Sequence, residues 1–310
     1  MSTQWLVYKL QRKYVKHVCN LEKYSNMKYR SIFISDVHLG TRDSQAEKLN
    51  NFLKHNTCET MYLVGDIIDA WKIQQNKWRW KQSHTNVVRR ILGHAKRGTR
   101  VVYIAGNHDE FLRMMIPYGI GFGLIEIHNQ IEHVDKNGKR FLVTHGDLFD
   151  GITQLAPWLA FLGDKLYDLV LDWNSKFNWI RHKLGFGYWS LSKYLKHKVK
   201  KASDFMFQFE KNLAGYCKKK GYDGVITGHV HNPEIKHIDG VVYMNDGDFV
   251  ESVSALVETH NGDWILIHLE DDTWIPFQVY ESHSGKVIKG PECVSWYLDR
   301  GFPILMYTEN

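Results

Sequence analysis

Five short polar signatures along the chain bring together carboxylate, imidazole and amide side chains, which are residue types that hold metal ions. Each signature comes directly after a short run of apolar, strand-like residues. Because ligand clefts in α/β sheets lie beyond the carboxyl ends of the strands, the signatures are expected to converge at one edge. This mixture of oxygen and nitrogen donors suits Mn²⁺, Zn²⁺ or Fe better than Ca²⁺ or Cu⁺. The signatures are Asp36-Val37-His38, Gly65-Asp66-Ile67-Ile68-Asp69, Gly106-Asn107-His108-Asp109, His145-Gly146-Asp147 and Gly228-His229-Val230-His231.

Taken one at a time, these signatures also have ordinary structural explanations. Gly-Asn-His-Asp is a sequence that turns use, because Gly, Asn and Asp favour positive φ or local hydrogen bonds. Asp-x-His is common in turns, and Gly-His-Val-His fits a strand end with satisfied imidazoles. The five together, in this order, favour a dinuclear site in which two ions about 3.5–4 Å apart share a bridging carboxylate and a hydroxide. The other twelve histidines lack this context and are predicted to be surface or core residues.

The set of signatures resembles that of the calcineurin-like metallophosphoesterases. The resemblance implies an α/β fold, namely a four-layer α/β/β/α sandwich, and hydrolysis of a phosphate ester or anhydride by a metal-bridging hydroxide. It also implies a ligand set, with Asp66 as the bridge between two divalent ions. The remaining ligands would be Asp36, His38 and His231 on one ion, and Asn107, His145 and His229 on the other.

The same resemblance implies catalytic roles for His108 and Asp69. His108 would face the substrate, where it stabilises the phosphoryl oxygens or protonates the leaving group, and Asp69 would hold its imidazole. An Asp–His pair fixes the tautomer and raises basicity, which a proton donor near neutral pH requires. Asp109 and Asp147 are predicted to support the ligands and not to bind metal themselves.

A long basic segment separates the last two signatures. Residues 151–221 contain thirteen Lys and Arg against five Asp and Glu. Leucines and aromatics at helical spacing predict helices over Ile152–Trp173 and Leu191–Tyr216, and therefore an inserted helical cap. Its Lys-rich face fits simple solvation, a membrane surface with anionic headgroups or, less strongly, single-stranded nucleic acid. The candidate substrate contacts on this segment are Lys193, Lys196, Lys198 and Lys200.

More closely, the chain resembles the UDP-2,3-diacylglucosamine pyrophosphatase branch of this superfamily, which acts in lipid A biosynthesis. The resemblance rests on Ser35-Asp36-Val37-His38-Leu39-Gly40, on Ala70-Trp71 after the second signature, and on the cap. It implies cleavage of a UDP-acylglucosamine-type lipid to UMP and an acyl-sugar phosphate, with Mn²⁺ preferred and the cap receiving the acyl chains. Trp71 becomes a candidate to line the pocket.

Two positions depart from that branch. It carries Arg where this chain has His108 and Glu where this chain has Asp69, so a fixed cation is replaced by a titratable group. One alternative is therefore a metallophosphodiesterase or phosphatase with another nucleotide or phospholipid-type substrate. Another is an inactive scaffold of the same fold, although every expected ligand type is present.

The composition of the chain indicates the class of protein and the compartment in which it works. The chain has 310 residues, of which 24% are charged and 44% hydrophobic, as is ordinary for a globular protein. Four scattered cysteines without Cys-x-x-Cys spacing indicate free thiols in a reducing compartment. Neither a signal-peptide pattern nor a run of eighteen apolar residues is found. A cytoplasmic protein is predicted, with peripheral contact to the inner membrane surface.

The remaining pattern predicts the domain organisation. Residues 1–29 are an N-terminal extension, 30–150 and 222–280 form the catalytic domain, 151–221 form the cap, and 281–310 form a C-terminal tail. Helices are predicted over Arg42–His55 and Ile73–Lys96, with Trp78 and Trp80 packing near the start of the second. Strand-like runs are predicted to complete a second sheet, and they are His237–Asn245, Ser252–Thr259 and Trp264–Leu269.

Overall fold

The computed structural model describes residues 27–75, 77–149 and 191–307. The described residues fall into two compact units, one within Met1–Asp147 and Ala214–Asn310 and the other within Leu148–Leu213. The predicted cap helix Ile152–Trp173 and most of the predicted N-terminal extension lie outside the described residues. Of the predicted cap, the described part is the helix that ends it.

Two β-sheets form the centre of the larger unit. The first has the strand order β13-β12-β11-β10-β1-β2-β3-β4, with β14 paired to β12, and the second has the order β5-β6-β7-β9-β8. Strands β1 to β4 run parallel, as do β6, β7 and β9. The strands are β1 (Met27–Ile34), β2 (Asn56–Val64), β3 (Arg100–Ile104), β4 (Ile125–His128), β5 (Gln130–Val134), β6 (Arg140–Thr144), β7 (Gly224–Thr227), β8 (Glu234–Ile238), β9 (Val241–Asn245), β10 (Ser254–Glu258), β11 (Trp264–Glu270), β12 (Thr273–Glu281), β13 (Lys286–Lys289) and β14 (Leu305–Met306).

Within the described residues, five α-helices and three short 3-10 helices accompany the strands. The α-helices are α1 (Ala46–His55), α2 (Trp71–Gln74), α3 (Gln82–Lys96), α4 (Leu191–Lys220) and α5 (Glu292–Asp299). The 3-10 helices are Glu110–Met114, Ile116–Tyr118 and Asp147–Phe149. No helix of the described residues is both long and apolar enough to cross a membrane.

Strand alternation divides the core into two layers. Successive side chains of a strand point to opposite faces, so the central strands are buried on both sides. In β1, Ile32 and Ile34 join the cluster that includes α1 and α3, whereas Phe33 joins the cluster between the two sheets. Trp264, which is fully buried, belongs to the inter-sheet cluster. This arrangement of helices and two facing sheets confirms the predicted α/β sandwich class.

The predicted helix over Ile73–Lys96 is wrong in one respect, because the structure has two helices separated by an extended turn. The Arg79 backbone N–H donates to the Gly40 carbonyl at 2.8 Å. The Trp78 ring covers Gly40 so closely that a Cβ there would lie 2.2 Å from it. Trp78 and Trp80 stack with ring centroids 5.2 Å apart, as packing residues. These contacts with the first signature loop replace the helical hydrogen bonds.

Two further predictions about the C-terminal third need correction. Strands β10 and β11 extend the first sheet, since β10 pairs antiparallel with β1. Of the three predicted runs, His237–Asn245 is the one that joins the second sheet, in β8 and β9. Residues 281–310 contain more than a tail, because β13, α5 and β14 lie there and both strands pair with β12.

Candidate metal centre

Five loops at the carboxyl ends of parallel strands carry all the sequence signatures. The loops after β1 and β2 are tied to each other by backbone hydrogen bonds, from Asp36 N–H to Gly65 O at 3.1 Å and from His38 N–H to Asp66 O at 3.0 Å. Because β1, β2 and β3 are neighbours, as are β6 and β7, their loops open at one edge of the sandwich. The predicted convergence of the signatures is therefore what the fold produces.

The backbone of these loops is held in the left-handed region, which non-glycine residues rarely adopt. Such conformations cost of order 1–3 kcal/mol each and gather at functional sites. The residues are Asp36, His38, Asp66, His229 and His231, with φ of 48°, 49°, 54°, 69° and 50°. This conformation turns each side chain sharply off its strand, toward the shared edge.

Close packing of the loops depends on glycines at two positions. A Cβ at Gly106 would lie 2.2 Å from Asp66 Oδ1, and a Cβ at Gly228 would lie 2.4 Å from Asp36 Oδ2. These glycines let neighbouring backbone donate to the carboxylates, from His108 N–H to Asp66 Oδ1 at 2.8 Å and from His229 N–H to Asp36 Oδ2 at 2.9 Å. Each carboxylate thus has one oxygen fixed by backbone and its other oxygen aimed into the site.

One group of donors forms around Asp36. Its Oδ1 lies 3.0 Å from His231 Nε2 and 3.8 Å from His38 Nε2. The rings of His38 and His231 have centroids 5.6 Å apart. The three side chains can each offer one ligand atom within 4.8 Å of the others. They are therefore placed to share one ion.

A second group forms around Asp66. Its Oδ2 lies 3.4 Å from His145 Nε2 and 4.0 Å from His38 Nε2. The rings of His145 and His229 have centroids 5.1 Å apart. The Asp66 carboxylate therefore faces one histidine of each group, which is the position that a carboxylate shared between two ions must occupy.

If these nitrogen and oxygen atoms are metal ligands, they should lack hydrogen-bond partners within the protein. Asp36 Oδ1, Asn107 Oδ1 and His145 Nε2 are buried and make no hydrogen bond among the described residues. Ligand atoms about 2.1 Å from one ion stand roughly 3.0 Å apart at right angles and roughly 3.4 Å apart at tetrahedral angles. The closest separations in the two groups match those values. Ligand atoms at these separations, several of them without a hydrogen-bond partner in the described part of the chain, are suited to bind two divalent ions.

The electrostatics of the cluster agree with that interpretation. Burial raises the pKa of Asp36, but the imidazoles of His231 and His145 outweigh burial and hold that pKa well below its usual range. Burial lowers the pKa of His38, but the neighbouring carboxylates of Asp36, Asp69 and Asp66 outweigh burial and raise it to about 10. In metal-free protein, protons on the imidazoles would balance the carboxylates, so metal binding would displace protons.

Asp69 contacts two imidazoles with its two oxygens. Oδ1 lies 3.1 Å from His108 Nδ1, and Oδ2 lies 3.3 Å from His38 Nδ1. Burial raises the pKa of Asp69, but the neighbouring imidazoles of His108 and His38 outweigh burial and lower it. The other nitrogen of His108, Nε2, lies 3.9 Å from Asp66 Oδ2 and so faces the metal donors. Trp71 packs on His108 with ring centroids 4.2 Å apart and planes 30° apart.

Asp109 and Asp147 accept hydrogen bonds that fix the loops around the metal centre. Asp109 accepts hydrogen bonds from the Ile67 N–H at 2.9 Å, the Gly106 N–H at 2.6 Å and the Tyr103 hydroxyl at 2.6 Å. Burial and the neighbouring charge of Asp66 raise the pKa of Asp109 to about 6. Asp147 accepts from Arg113 Nη2 at 2.6 Å.

Sequence reasoning missed a buried carboxyl group beside the centre. Asp246 accepts a hydrogen bond from Ser35 Oγ at 2.7 Å, and burial raises its pKa well above the usual range, with the charge of Asp36 adding to the rise. The available signal was Asn245-Asp246-Gly247-Asp248, a polar run that follows strand β9 as the signatures follow theirs. The side chains of Lys193, Lys196, Lys198 and Lys200 lie outside the described residues, so their substrate contacts stay predictions.

Comparison with known proteins gives a family match. The model of the calcineurin-like phosphoesterase family matches residues 29–233. Among curated proteins, none matches the sequence.

Several solved structures are similar to the chain. An archaeal phosphodiesterase shares 15% identity and a TM-score of 0.37, over 77% of this chain and 99% of its own. A dimetal phosphatase from Danio rerio shares 12% identity and a TM-score of 0.38, over 80% of this chain and 95% of its own. Vacuolar protein sorting 29 from Cryptosporidium parvum shares 12% identity and a TM-score of 0.36, over 84% of this chain and 94% of its own.

Proposed function

The chain belongs to the calcineurin-like phosphoesterase family of metal-dependent phosphoester hydrolases, and we propose that it cleaves the pyrophosphate of a UDP-2,3-diacylglucosamine-like lipid. The products would be UMP and an acyl-sugar phosphate. The observation that carries the hydrolytic part is the position of Asp66 Oδ2 between His145 and His38, amid buried donors without hydrogen bonds. The choice of lipid rests on the resemblance of the first two signatures and of Ala70-Trp71 to that branch.

The proposed ligand set follows the two groups of donors. Asp66 would be shared by the two ions, and Asp36, His38 and His231 would hold one of them. Asn107, His145 and His229 would hold the other ion. When bound, the two divalent ions, Mn²⁺ in our proposal, supply an activated water and positive charge for the phosphoryl oxygens. Left-handed backbone at five of these positions holds the ligand side chains ready without reorganisation.

His108 is proposed to deliver the proton that the leaving oxygen needs. Asp69 lies against Nδ1, which directs Nε2 toward the metal donors and therefore toward a bound phosphoryl group. As the phosphorus–oxygen bond breaks, the electron pair goes to the leaving oxygen, and the Nε2 proton follows it. Asp69 stabilises the imidazolium before transfer and fixes the tautomer throughout.

We propose that Trp71 forms one wall of the region in which His108 meets the leaving group. Its ring lies over the His108 ring, so the indole excludes water from one face of the proton donor. A flat apolar wall beside a titratable group also restricts how the leaving group can approach. The cap residues Lys193, Lys196, Lys198 and Lys200 remain proposed contacts for the anionic part of the lipid, at the cytoplasmic face of the inner membrane.

A second candidate function is supported by one pair of residues. His108 with Asp69 is the arrangement of the wider superfamily, whereas the lipid pyrophosphatase branch has Arg and Glu at those positions. A titratable donor serves a leaving group that must be protonated, such as the alkoxide of an ordinary phosphodiester. A phosphodiesterase or phosphatase for another nucleotide or phospholipid-type substrate therefore stands as the alternative. A metal-free scaffold is disfavoured because the donor set is complete.

The test is hydrolysis by purified protein with Mn²⁺ of two substrates side by side. One is UDP-2,3-diacylglucosamine, followed by UMP release, and the other is bis-p-nitrophenyl phosphate. We expect UMP release at the higher kcat/KM, with both reactions abolished by a chelator and restored by Mn²⁺. Diester cleavage without UMP release would discard the lipid substrate and favour the alternative. Inactivity on both substrates, in protein shown to contain metal, would count against hydrolysis of either class.

A further inference from the structure

The imidazole of His84 contacts the loop that carries the first signature. His84 lies in the first turn of α3 and is fully buried. Its Nδ1 accepts hydrogen bonds from the Gly40 N–H at 3.1 Å and from the Lys81 N–H at 3.4 Å. Because Nδ1 faces two N–H donors, it carries the lone pair, and the proton of the neutral ring is on Nε2. His84 therefore acts as a neutral acceptor for the loop.

The other nitrogen of His84 shows that this arrangement has a cost. Nε2 is buried and makes no hydrogen bond among the described residues. A buried N–H without a partner costs about 1–3 kcal/mol, which an apolar side chain at this position would avoid. Burial and the charge of Lys81 lower the pKa of His84, which keeps Nδ1 free of a proton near neutral pH. What the ring contributes is the acceptor at Nδ1.

Gly40 is fixed on three sides by the segment that leads into α3. Its N–H donates to His84, and its carbonyl accepts from the Arg79 N–H at 2.8 Å. A Cβ on Gly40 would lie 2.2 Å from the Trp78 ring, and the φ of 101° favours glycine. With both polar backbone atoms bonded and one side closed by an indole, this position has little freedom to move.

The constraint on Gly40 extends to His38, two residues earlier. The His38 carbonyl accepts from the Thr41 N–H at 3.1 Å and from the Thr41 hydroxyl at 2.9 Å, so Gly40 lies inside a tight turn. His38 itself has a φ of 49°. Its Nε2 lies 3.8 Å from Asp36 Oδ1 and 4.0 Å from Asp66 Oδ2. The turn that contains Gly40 therefore decides where the His38 imidazole points.

We propose that His84 is a positioning residue for the metal centre, because its Nδ1 fixes the turn that presents His38. Without this acceptor, the Gly40 N–H would be unpaired and the turn would relax, which lowers the affinity for the ion that His38 helps to hold. The ion assigned to the other group of donors would be affected less, since its histidines lie on other loops. The inference rests on the proposed function for the ligand set, and it adds a residue that lies outside all five signatures.

The test is Mn²⁺ binding to the metal-free full chain, followed by isothermal titration calorimetry. His84→Phe keeps a buried ring and removes the acceptor. We expect one of the two ions to bind about 10- to 100-fold more weakly and the other to bind nearly as in the wild type, because supporting partners of ligands tune affinity by that amount. Unchanged binding of both ions would overturn the inference alone. Wild type that binds no Mn²⁺ would overturn the proposed function together with the inference.

His84→Asn separates the acceptor from the packing of the ring. Its amide oxygen can take the place of Nδ1, so the affinity for both ions should return to within about threefold of the wild type. A loss in His84→Asn as large as that in His84→Phe would overturn the proposal, because the acceptor would then not be the cause.

The matched control is Trp80→Phe. Trp80 contacts the edge of the His84 ring, with centroids 5.2 Å apart and planes 89° apart, and its Nε1 donates to Thr85. The change alters the packing around His84 and leaves Nδ1 and Gly40 in place, so both ions should bind as in the wild type. Selective loss of one ion in Trp80→Phe would assign the effect to packing and overturn the proposal.

Thermal unfolding of the metal-free proteins distinguishes positioning from a purely structural role. A structural role predicts a lower unfolding temperature with both ions weakened alike, an outcome that overturns the proposal. Positioning predicts selective loss of one ion and its rescue in His84→Asn. If His84→Phe does not fold, His84→Leu removes the same acceptor with a smaller side chain and is subject to the same criteria.

Discussion

Two buried clusters of charged side chains lie at opposite ends of the same strands, and they differ in how their polar atoms are satisfied. At one end, Glu258 binds Arg30 through both carboxylate oxygens at 2.6 Å, and Oε2 lies 2.9 Å from His133 Nε2. The Lys136 N–H donates to Oε1 at 2.8 Å, and Tyr62 hydroxyl lies 3.0 Å from His133 Nδ1. We call this the closed network.

The metal centre at the other end also combines buried carboxylates with imidazoles, but several of its polar atoms are left unpaired. Asp36 Oδ1, Asn107 Oδ1 and His145 Nε2 remain without hydrogen bonds among the described residues. Leaving a buried polar atom unpaired costs about 1–3 kcal/mol, so folding alone gives no reason to gather such atoms. The closed network joins the two sheets, whereas the metal centre keeps its donors for a ligand. Both clusters are buried and charged. The functional cluster differs from the structural one in that its buried polar atoms lack hydrogen-bond partners within the described part of the chain.

The largest expected effect is on the metal side of this comparison. Asp66→Asn should lower kcat by about 10⁴-fold or more, because the amide cannot bridge two ions as a carboxylate does. Added Mn²⁺ should raise the unfolding temperature of the wild type and raise that of the variant much less, since ligands stabilise the folded state that binds them. Steady-state kinetics and thermal unfolding check both parts. A variant with near wild-type turnover would remove Asp66 from the bridge.

His108→Ala should separate the proton donor from the ligands. We expect kcat to fall by about 10²–10⁴-fold while the metal content stays near that of the wild type. The loss should shrink for a substrate whose leaving group needs no proton, such as a p-nitrophenyl ester. Equal losses on good and poor leaving groups would argue against protonation by His108, and an unchanged rate would end the assignment.

Glu258→Ala should lower the stability of the fold and leave metal binding unchanged. The change leaves Arg30 and His133 without their carboxylate, and breaking a buried pair costs about 3–5 kcal/mol. Because the Arg30 side chain is about one-quarter exposed, we expect a loss of about 2–4 kcal/mol in the free energy of unfolding. Urea unfolding and metal analysis measure the two properties. Loss of Mn²⁺ from a folded Glu258→Ala protein would contradict the division between the clusters.

The closed network also predicts a pH dependence. Burial raises the pKa of Glu258, but His133 and Arg30 outweigh burial and lower it from 4.5. A carboxyl whose pKa is lower in the folded state stabilises fully above its unfolded pKa, and this stabilisation disappears as the pH falls through the folded value. Below about pH 4.5, metal-free wild type should therefore lose up to about 1.4 kcal/mol per pH unit relative to Glu258→Gln. Parallel acid slopes in urea unfolding of the two proteins would refute this.

Sequence patterns predicted the parts of the molecule that depend on local order. The five signatures follow apolar runs, and parallel strands bring their ends together whatever the details of the loops. The pairing of Asp69 with His108 followed from the family resemblance. Its second contact, to His38 Nδ1 at 3.3 Å, depends on the left-handed turn at His38 and has no sequence signal.

Other features could not be predicted because their causes are non-local. The apolar run within Ser254–Glu258 predicts a buried strand, but not that β1 is its partner, since pairing is decided by hydrogen bonds to a distant segment. The break between α2 and α3 arises from Trp78 covering Gly40, a contact across the fold. For Asp246 the polar run after β9 was a local signal, whereas its hydrogen bond with Ser35 depends on a contact across the fold.

The most direct test of the central claim is the Mn²⁺ content of the purified chain after equilibration with Mn²⁺ and removal of free ion, measured by plasma mass spectrometry. We expect two ions per wild-type chain and two in Glu258→Gln. One ion or none in folded wild-type protein would contradict the claim that the unsatisfied donors around Asp36 and Asp66 form a dinuclear metal centre.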